Sequence, residues 1–213
     1  MSITKHVFTG TSLEAQASEM LSWLQANATD FFDSISMASN VITCSKDGVN
    51  ALVLSFNGTA NDITMSLANG ELGILDSIGA LYNYAVKTST GILLNNQGTS
   101  NFPTYLFITK TNNNDLAFAV TGNWHNYGHF FVGDFSKSSH FDDVFGGDDS
   151  LYSEKYWGIP SSLTTLTPLC FKTSATYMPD LNYMRFCEFS QIAGKISIGG
   201  VEYYSNGYLA LKE

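Results

Sequence analysis

Apolar and polar residues alternate along most of this chain, most clearly at its C-terminal end. Between Gly194 and Lys212, Ile196, Ile198, Val201 and Tyr203 fall on one period-2 face, and Lys195, Ser197, Glu202 and Tyr204 on the other. Gly199-Gly200 and Asn206-Gly207 interrupt the alternation, and these are residues that reach the positive φ of tight hairpin turns without strain. The pattern predicts a three-stranded antiparallel meander over 194–212. A small sheet with one apolar face needs a body to pack on, which the upstream chain has to supply.

That upstream chain opens with a strand or extended arm at 3–9 and then changes period. Leu13, Ala17, Met20, Leu21, Leu24 and Ala28 share one helical face, and Thr11 followed by Glu14 fits a capping box. This predicts one amphipathic helix over about 11–28, with Gln16 and Glu19 outside its apolar face. The expected role is to cover a sheet; the alternative is a seam between copies. Period-2 patterning returns over 35–70, where Asp47-Gly48 marks a hairpin. Ala51, Val53 and Ser55 alternate with Leu52, Leu54 and Phe56, so that strand is expected to be covered on both faces. Residues 71–86 are ambiguous between helix and strand, because Gly73 and Gly79 weaken the helix; the reading taken is a loop running into a strand at 81–87. Two more hairpins follow, one around Ser89-Thr90-Gly91 and one around Asn112 to Asp115.

Residues 123–160 break into short pieces and concentrate unusual side chains. They hold three of the four histidines, two of the three tryptophans and five acids between Asp142 and Glu154. A loop-rich excursion is expected there, and loops on a rigid scaffold commonly carry function. Shorter strand pieces over 163–189 precede the meander. With no clear repeat or linker, the 213 residues read as one domain, α+β and mostly antiparallel β, sandwich-like, with one helix at the start and the meander at the end.

Composition narrows the partners. The formal net charge is −9, and the ten basic residues form no run, which sets nucleic acid and anionic membrane surfaces aside. Cys44, Cys170 and Cys187 are odd in number, form no C-x-x-C pair and read as small buried hydrophobes. No apolar leader opens the chain, and no stretch reaches the roughly 18 apolar residues of a spanning helix. Assembly in a reducing cytosol is expected, with no signal peptide and no membrane insertion.

The candidate chemistry is sparse. No Gly-x-Ser-x-Gly occurs, and no glycine loop resembles a phosphate cradle. His125, His129 and His140 lack the spacing of a zinc set. The acidic run with Asp142, Asp143, Asp148 and Asp149 offers oxygen ligands for calcium but not the EF-hand spacing; a solvated turn is the plainer account. Trp124, Tyr127, Tyr152, Tyr156 and Trp157 lie among Asn, Asp and Gly, the mixture that stacks and hydrogen-bonds sugar rings. The plainer account is that they fill core or interface. Asp134, Asp142 and Glu154 are the generic carboxylates a glycan hydrolase would need. No catalytic residue, cofactor or firm metal site is expected.

Three features near the end of the chain occur together. Thr165 to Leu169 reads Thr-Leu-Thr-Pro-Leu, Gly194 to Tyr204 is a Gly-Lys hairpin with a Gly-Gly turn and a tyrosine strand, and Asn206 to Leu211 opens with Asn-Gly-Tyr. This C-terminal quarter resembles that of small structural proteins of tailed phages and prophages of gut bacteria. The resemblance implies a non-enzymatic virion component, at the tail, baseplate or fibre, assembled as a homo-oligomer with other virion proteins. It carries no catalytic residues. The 123–160 stretch has no counterpart in it, which leaves a carbohydrate- or receptor-binding role as the alternative.

Overall fold

The structure is a computed structural model that describes residues 3–58, 62–67, 74–79, 81–96, 104–110, 116–122, 127–132, 168–169, 172–173, 176–177, 181–186, 193–205 and 209–213. Among these there is one helix, α1 (Leu13–Asn27), and every strand pairing is antiparallel. Sheet A has six strands in the order β1 (Thr4–Val7), β7 (Tyr82–Lys87), β8 (Gly91–Asn96), β9 (Thr104–Lys110), β10 (Leu116–Gly122) and β11 (Tyr127–Val132). Sheet B is the meander β2 (Ser34–Ala38), β3 (Val41–Lys46), β4 (Val49–Ser55), β5 (Asp62–Leu67) and β6 (Ile74–Gly79). Sheet C runs β12 (Pro168–Leu169), β15 (Leu181–Phe186), β18 (Leu209–Lys212), β17 (Val201–Ser205) and β16 (Gly194–Ile198). A separate ribbon joins β13 (Lys172–Thr173) and β14 (Thr176–Tyr177). The α+β, mostly antiparallel class, the single helix of the described residues and the C-terminal meander are all present.

The helix lies where its apolar stripe predicts. Ala17, Met20, Leu24 and Ala28 are fully buried in the core cluster, with Leu13 and Leu21 packed against it. The helix therefore covers a sheet. Two details differ from the sequence reading. The N-cap is Ser12, not Thr11: Ser12 is extended at φ −128° and ψ 160°, and its Oγ accepts from the Ala15 amide at 3.2 Å. Glu14 then sits one position too early for the reciprocal bond of a capping box. Gln16 is not on an outer face but buried, because the Tyr82 backbone needs it: Gln16 Nε2 donates to the Tyr82 carbonyl at 2.8 Å, and the Tyr82 amide donates to Gln16 Oε1 at 2.7 Å. The β7–β8 ladder is irregular between Tyr82 and Tyr84, and the glutamine completes the pairing at that irregularity.

Sheet B forms because two hairpin turns set its register. Asp47 and Gly48 have φ of 50° and 79°, and Ser39 and Asn40 have 49° and 58°, so both turns have the doubly left-handed centre that matches strand twist. Leu52 and Leu54 of β4, and Phe56 just after it, are buried; of the alternating set Ala51 is buried but Val53 and Ser55 are half-buried, so only one side is sealed along its length. Residues 74–79 are strand rather than loop. β6 pairs with β5 at Ile63↔Ile78 and Asp62↔Gly79, an edge position where glycine is tolerated.

Sheet A is the middle layer. Ala85, Ile92, Leu94, Leu106, Ile108 and Leu116 join the cluster shared with α1 and sheet B. On the opposite face Val86, Leu93 and Phe107 are also fully buried, and there sheet C lies against them. Burying a side chain of this size contributes about 1.5–3 kcal/mol, so the second face is an interior layer rather than a covered surface. Sheet C reaches it through Tyr204 and Leu211, which are register partners. The apolar face expected to seek the body instead forms its own small cluster, with Tyr203 and Ala210 buried and Ile196 and Val201 half-buried. The Gly199-Gly200 turn is formed at φ 58° and 80°, while Asn206-Gly207 lies outside the described residues.

Candidate functional site

Most of the residues selected from sequence as a possible ligand site fall outside the described residues. Trp124, Tyr152, Tyr156 and Trp157 do so, as do Asp142, Asp143, Asp148 and Asp149, His125 and His140, Asp134 and Glu154, and Cys170. Tyr127 opens β11, with its backbone paired to Gly122, and His129 is paired to Val120. Among the described residues, no three of His, Cys, Asp and Glu gather as a metal site, and no helix is long and apolar enough to cross a membrane. Cys44 is buried on β3, and desolvation pushes its thiol up to about 12, the environment of an inert structural cysteine.

The polar constellations that can be built residue by residue lie at seams between elements. The first joins sheets A and C. Tyr84 meets Tyr204 from sheet C and Tyr105 from β9. Burial, then the charge and hydrogen bonding of those two neighbours, hold its phenol above the ordinary value of 10.0. Beside them the β7–β8 turn receives the end of the chain. Thr90 Oγ1 donates to the Lys212 carbonyl, and the Ser89 amide donates to Glu213 Oε2 at 3.2 Å. Thr109 Oγ1 donates to the Thr90 carbonyl at 2.7 Å and fixes the turn from the opposite strand. A phenol kept neutral in such a cluster can serve it as a hydrogen-bond donor.

The second constellation is cationic. Lys87 Nζ stands 4.5 Å from the Phe31 ring centroid and 3.5 Å from Asp30 Oδ2, and Lys110 Nζ is 5.8 Å from the same ring. Burial lowers the Lys87 pKa from its ordinary 10.5 against the opposing pull of Asp30. The group ties the loop after α1 to the end of β7, and cation–π geometry suits that role.

The third lies where β1 enters α1. Glu19 accepts from the Thr9 amide at 2.9 Å and the Gly10 amide at 2.9 Å, and its Oε1 is 3.0 Å from His6 Nε2. Burial alone would raise its pKa, but the two backbone donors and then His6 prevail and hold it below 4.5. One carboxylate thus fastens the end of β1 to the middle of the helix.

None of these three had a sequence signal of its own. Glu19 and Gln16 looked like solvated positions of an amphipathic helix, and Tyr84, Tyr105 and Tyr204 looked like ordinary strand aromatics. A polar residue four positions after the helix cap, next to a buried stripe, was the faint cue for Gln16. Sequence supplies the helix face but not the irregular strand end that needs the bonds. No protein-family model matches the chain, and neither a curated protein nor a solved structure matches it.

Proposed function

We propose that this chain is a non-enzymatic structural component of a phage virion or tail, present in many copies and working through protein–protein contacts. The observation that carries the reading is the set of C-terminal motifs, the Thr165 to Leu169 segment, the Gly194 to Tyr204 hairpin and the Asn206 to Leu211 strand, in the order found in the tail and virion proteins they resemble. The geometry is in keeping with it. The hairpin belongs to sheet C, which packs on sheet A, and the three polar constellations described above each join one element to another. Such a chain presents surfaces and edges to its neighbours. Its partners are other copies and other virion proteins.

The test is compositional. Particles from an induced culture are purified on a density gradient, and their proteins are identified by mass spectrometry. The chain is expected in the particle fraction at many copies per particle. Intact particles that lack it, with the chain remaining among soluble lysate proteins, would overturn the reading.

A further inference from the structure

The geometry points to β1 as the edge through which two copies of this chain pair, strand to strand across a two-fold axis, into one continuous sheet. The choice of a second copy as occupant rests on the multi-copy reading above; the edge itself rests on hydrogen-bond parity. The Phe8 amide donates to the Asn83 carbonyl at 3.0 Å, and the β1–β7 register continues as His6↔Ala85 and Thr4↔Lys87. In an antiparallel ladder these alternate residues bond inward. The amides and carbonyls of Lys5 and Val7 therefore point away from sheet A, and among the described residues no strand lies beyond them. The next outward amide, that of Thr9, is already taken by Glu19. Among the described residues, the open edge of β1 thus consists of Lys5 and Val7, held in strand geometry by the inward pairing on either side.

Two further observations favour this edge. Val7 is 59% exposed, the one large hydrophobic so exposed among the described residues. Natural sheets guard open edges with lysines reaching into solvent; Lys5 is exposed, but its Nζ lies 3.9 Å from the ring centroid of Tyr84 on β7, the strand behind the edge. The ammonium thus lies over sheet A rather than out beyond the edge.

The edge is also self-complementary. In an antiparallel register centred on His6, each Lys5 lies opposite Val7 of the other copy. The outward groups of these residues then close four hydrogen bonds, two per equivalent pair. Each lysine faces a valine rather than a lysine, the two His6 that meet across the axis are each paired with Glu19 at 3.0 Å, and each exposed valine is covered by the aliphatic stem of a lysine. A contact this short is a weak one, suited to an assembly that multiplies it.

The full chain is followed by sedimentation velocity over a concentration series, with amide hydrogen exchange read at Lys5 and Val7. Wild type is expected to associate as concentration rises, with exchange at both amides slowed at least about tenfold. Val7→Pro removes an outward donor without touching the inward ladder and is expected to stay monomeric. Val7→Lys, which changes only an exposed side chain, opposes two lysines and is expected to weaken association. Adding Lys5→Glu to Val7→Lys sets opposite charges across the register and is expected to restore it. A wild type that stays monomeric throughout, association unchanged in both single variants, or a double variant that fails to recover would each overturn the proposal. A chain found in particles whose association ignores these substitutions sinks the edge alone. Edge-dependent pairing in a chain missing from particles sinks the virion reading alone.

Discussion

Replacing Gln16 with leucine removes two buried hydrogen bonds while nearly preserving volume. The glutamine is 2% exposed and bonds both the amide and the carbonyl of Tyr82, at 2.7 and 2.8 Å. In the variant both backbone groups stay buried with no partner, at about 1–3 kcal/mol each. Leucine recovers up to about 2 kcal/mol by burying apolar surface in the same place. With both groups at the middle of that range, about 4 kcal/mol together, and about 0–2 kcal/mol recovered, the net loss should be about 2–4 kcal/mol, a large share of the roughly 5–15 kcal/mol by which a domain is stable. With a urea slope of about 2 kcal/mol/M, the unfolding midpoint by circular dichroism should fall by about 1–2 M.

Gln16→Glu separates the bonds from packing. A carboxylate cannot donate to the Tyr82 carbonyl, whereas a protonated carboxyl both donates and accepts. Burial and that carbonyl both favour the protonated form, so the folded-state pKa lies above the unfolded one. The variant should approach wild type in acid and lose stability as pH rises through the carboxyl range. A Gln16→Leu loss under about 1 kcal/mol, below the cost of one stranded group, refutes the reasoning. So does a Gln16→Glu deficit that is the same at acid and neutral pH.

Gly91→Ala should cost about 1–3 kcal/mol in chemical unfolding, because a Cβ there meets the Ile108 carbonyl at 2.6 Å and Leu211 Cδ1 at 2.7 Å, at the contact of sheets A and C. Gly48→Val should cost about 1 kcal/mol or more for a different reason: nothing lies within 4 Å, but φ is +79°; an unchanged melting midpoint would disprove the turn. Glu19→Gln should lower stability at neutral pH, and the gap to wild type should persist below pH 4.5 and close only as pH falls through the depressed folded-state pKa, as urea titrations at several pH values would report.

The hairpins were legible because each had both of its signals, alternation and turn chemistry. Val41 to Lys46 and Val49 to Ser55 alternate on either side of Asp47-Gly48, and the pairing follows. Residues 74–79 had neither signal cleanly, and Gly73 and Gly79 argued against a helix without arguing for a strand. Their strand exists because β5 offers an edge, a tertiary cause invisible in the segment itself. Gln16 is the same case on the helix: helical periodicity places it, but the need of the Tyr82 backbone decides that it is buried. The aromatic and acidic residues of 123–160 were selected by the composition of one stretch, a signal that says what a segment contains and nothing about which side chains converge.

Layer assignment failed for a physical reason. Alternation identifies the two faces of a strand only when one face is wet. β8 is buried at all six positions, Ile92 and Leu94 toward α1 and sheet B, Leu93 toward sheet C, and its run of four apolar or small residues carries no period. The meander shows the converse. Its alternation was read correctly, yet the mainly polar face reaches sheet A, because Tyr204 supplies a large ring whose hydroxyl finds Tyr84 and Leu211 fills the space left at Gly91. A tyrosine counts as polar in a two-letter pattern and as mostly apolar in a core. That ambiguity, at one residue, decides which side of the C-terminal sheet faces inward and leaves Ile196 and Val201 half-buried on the other.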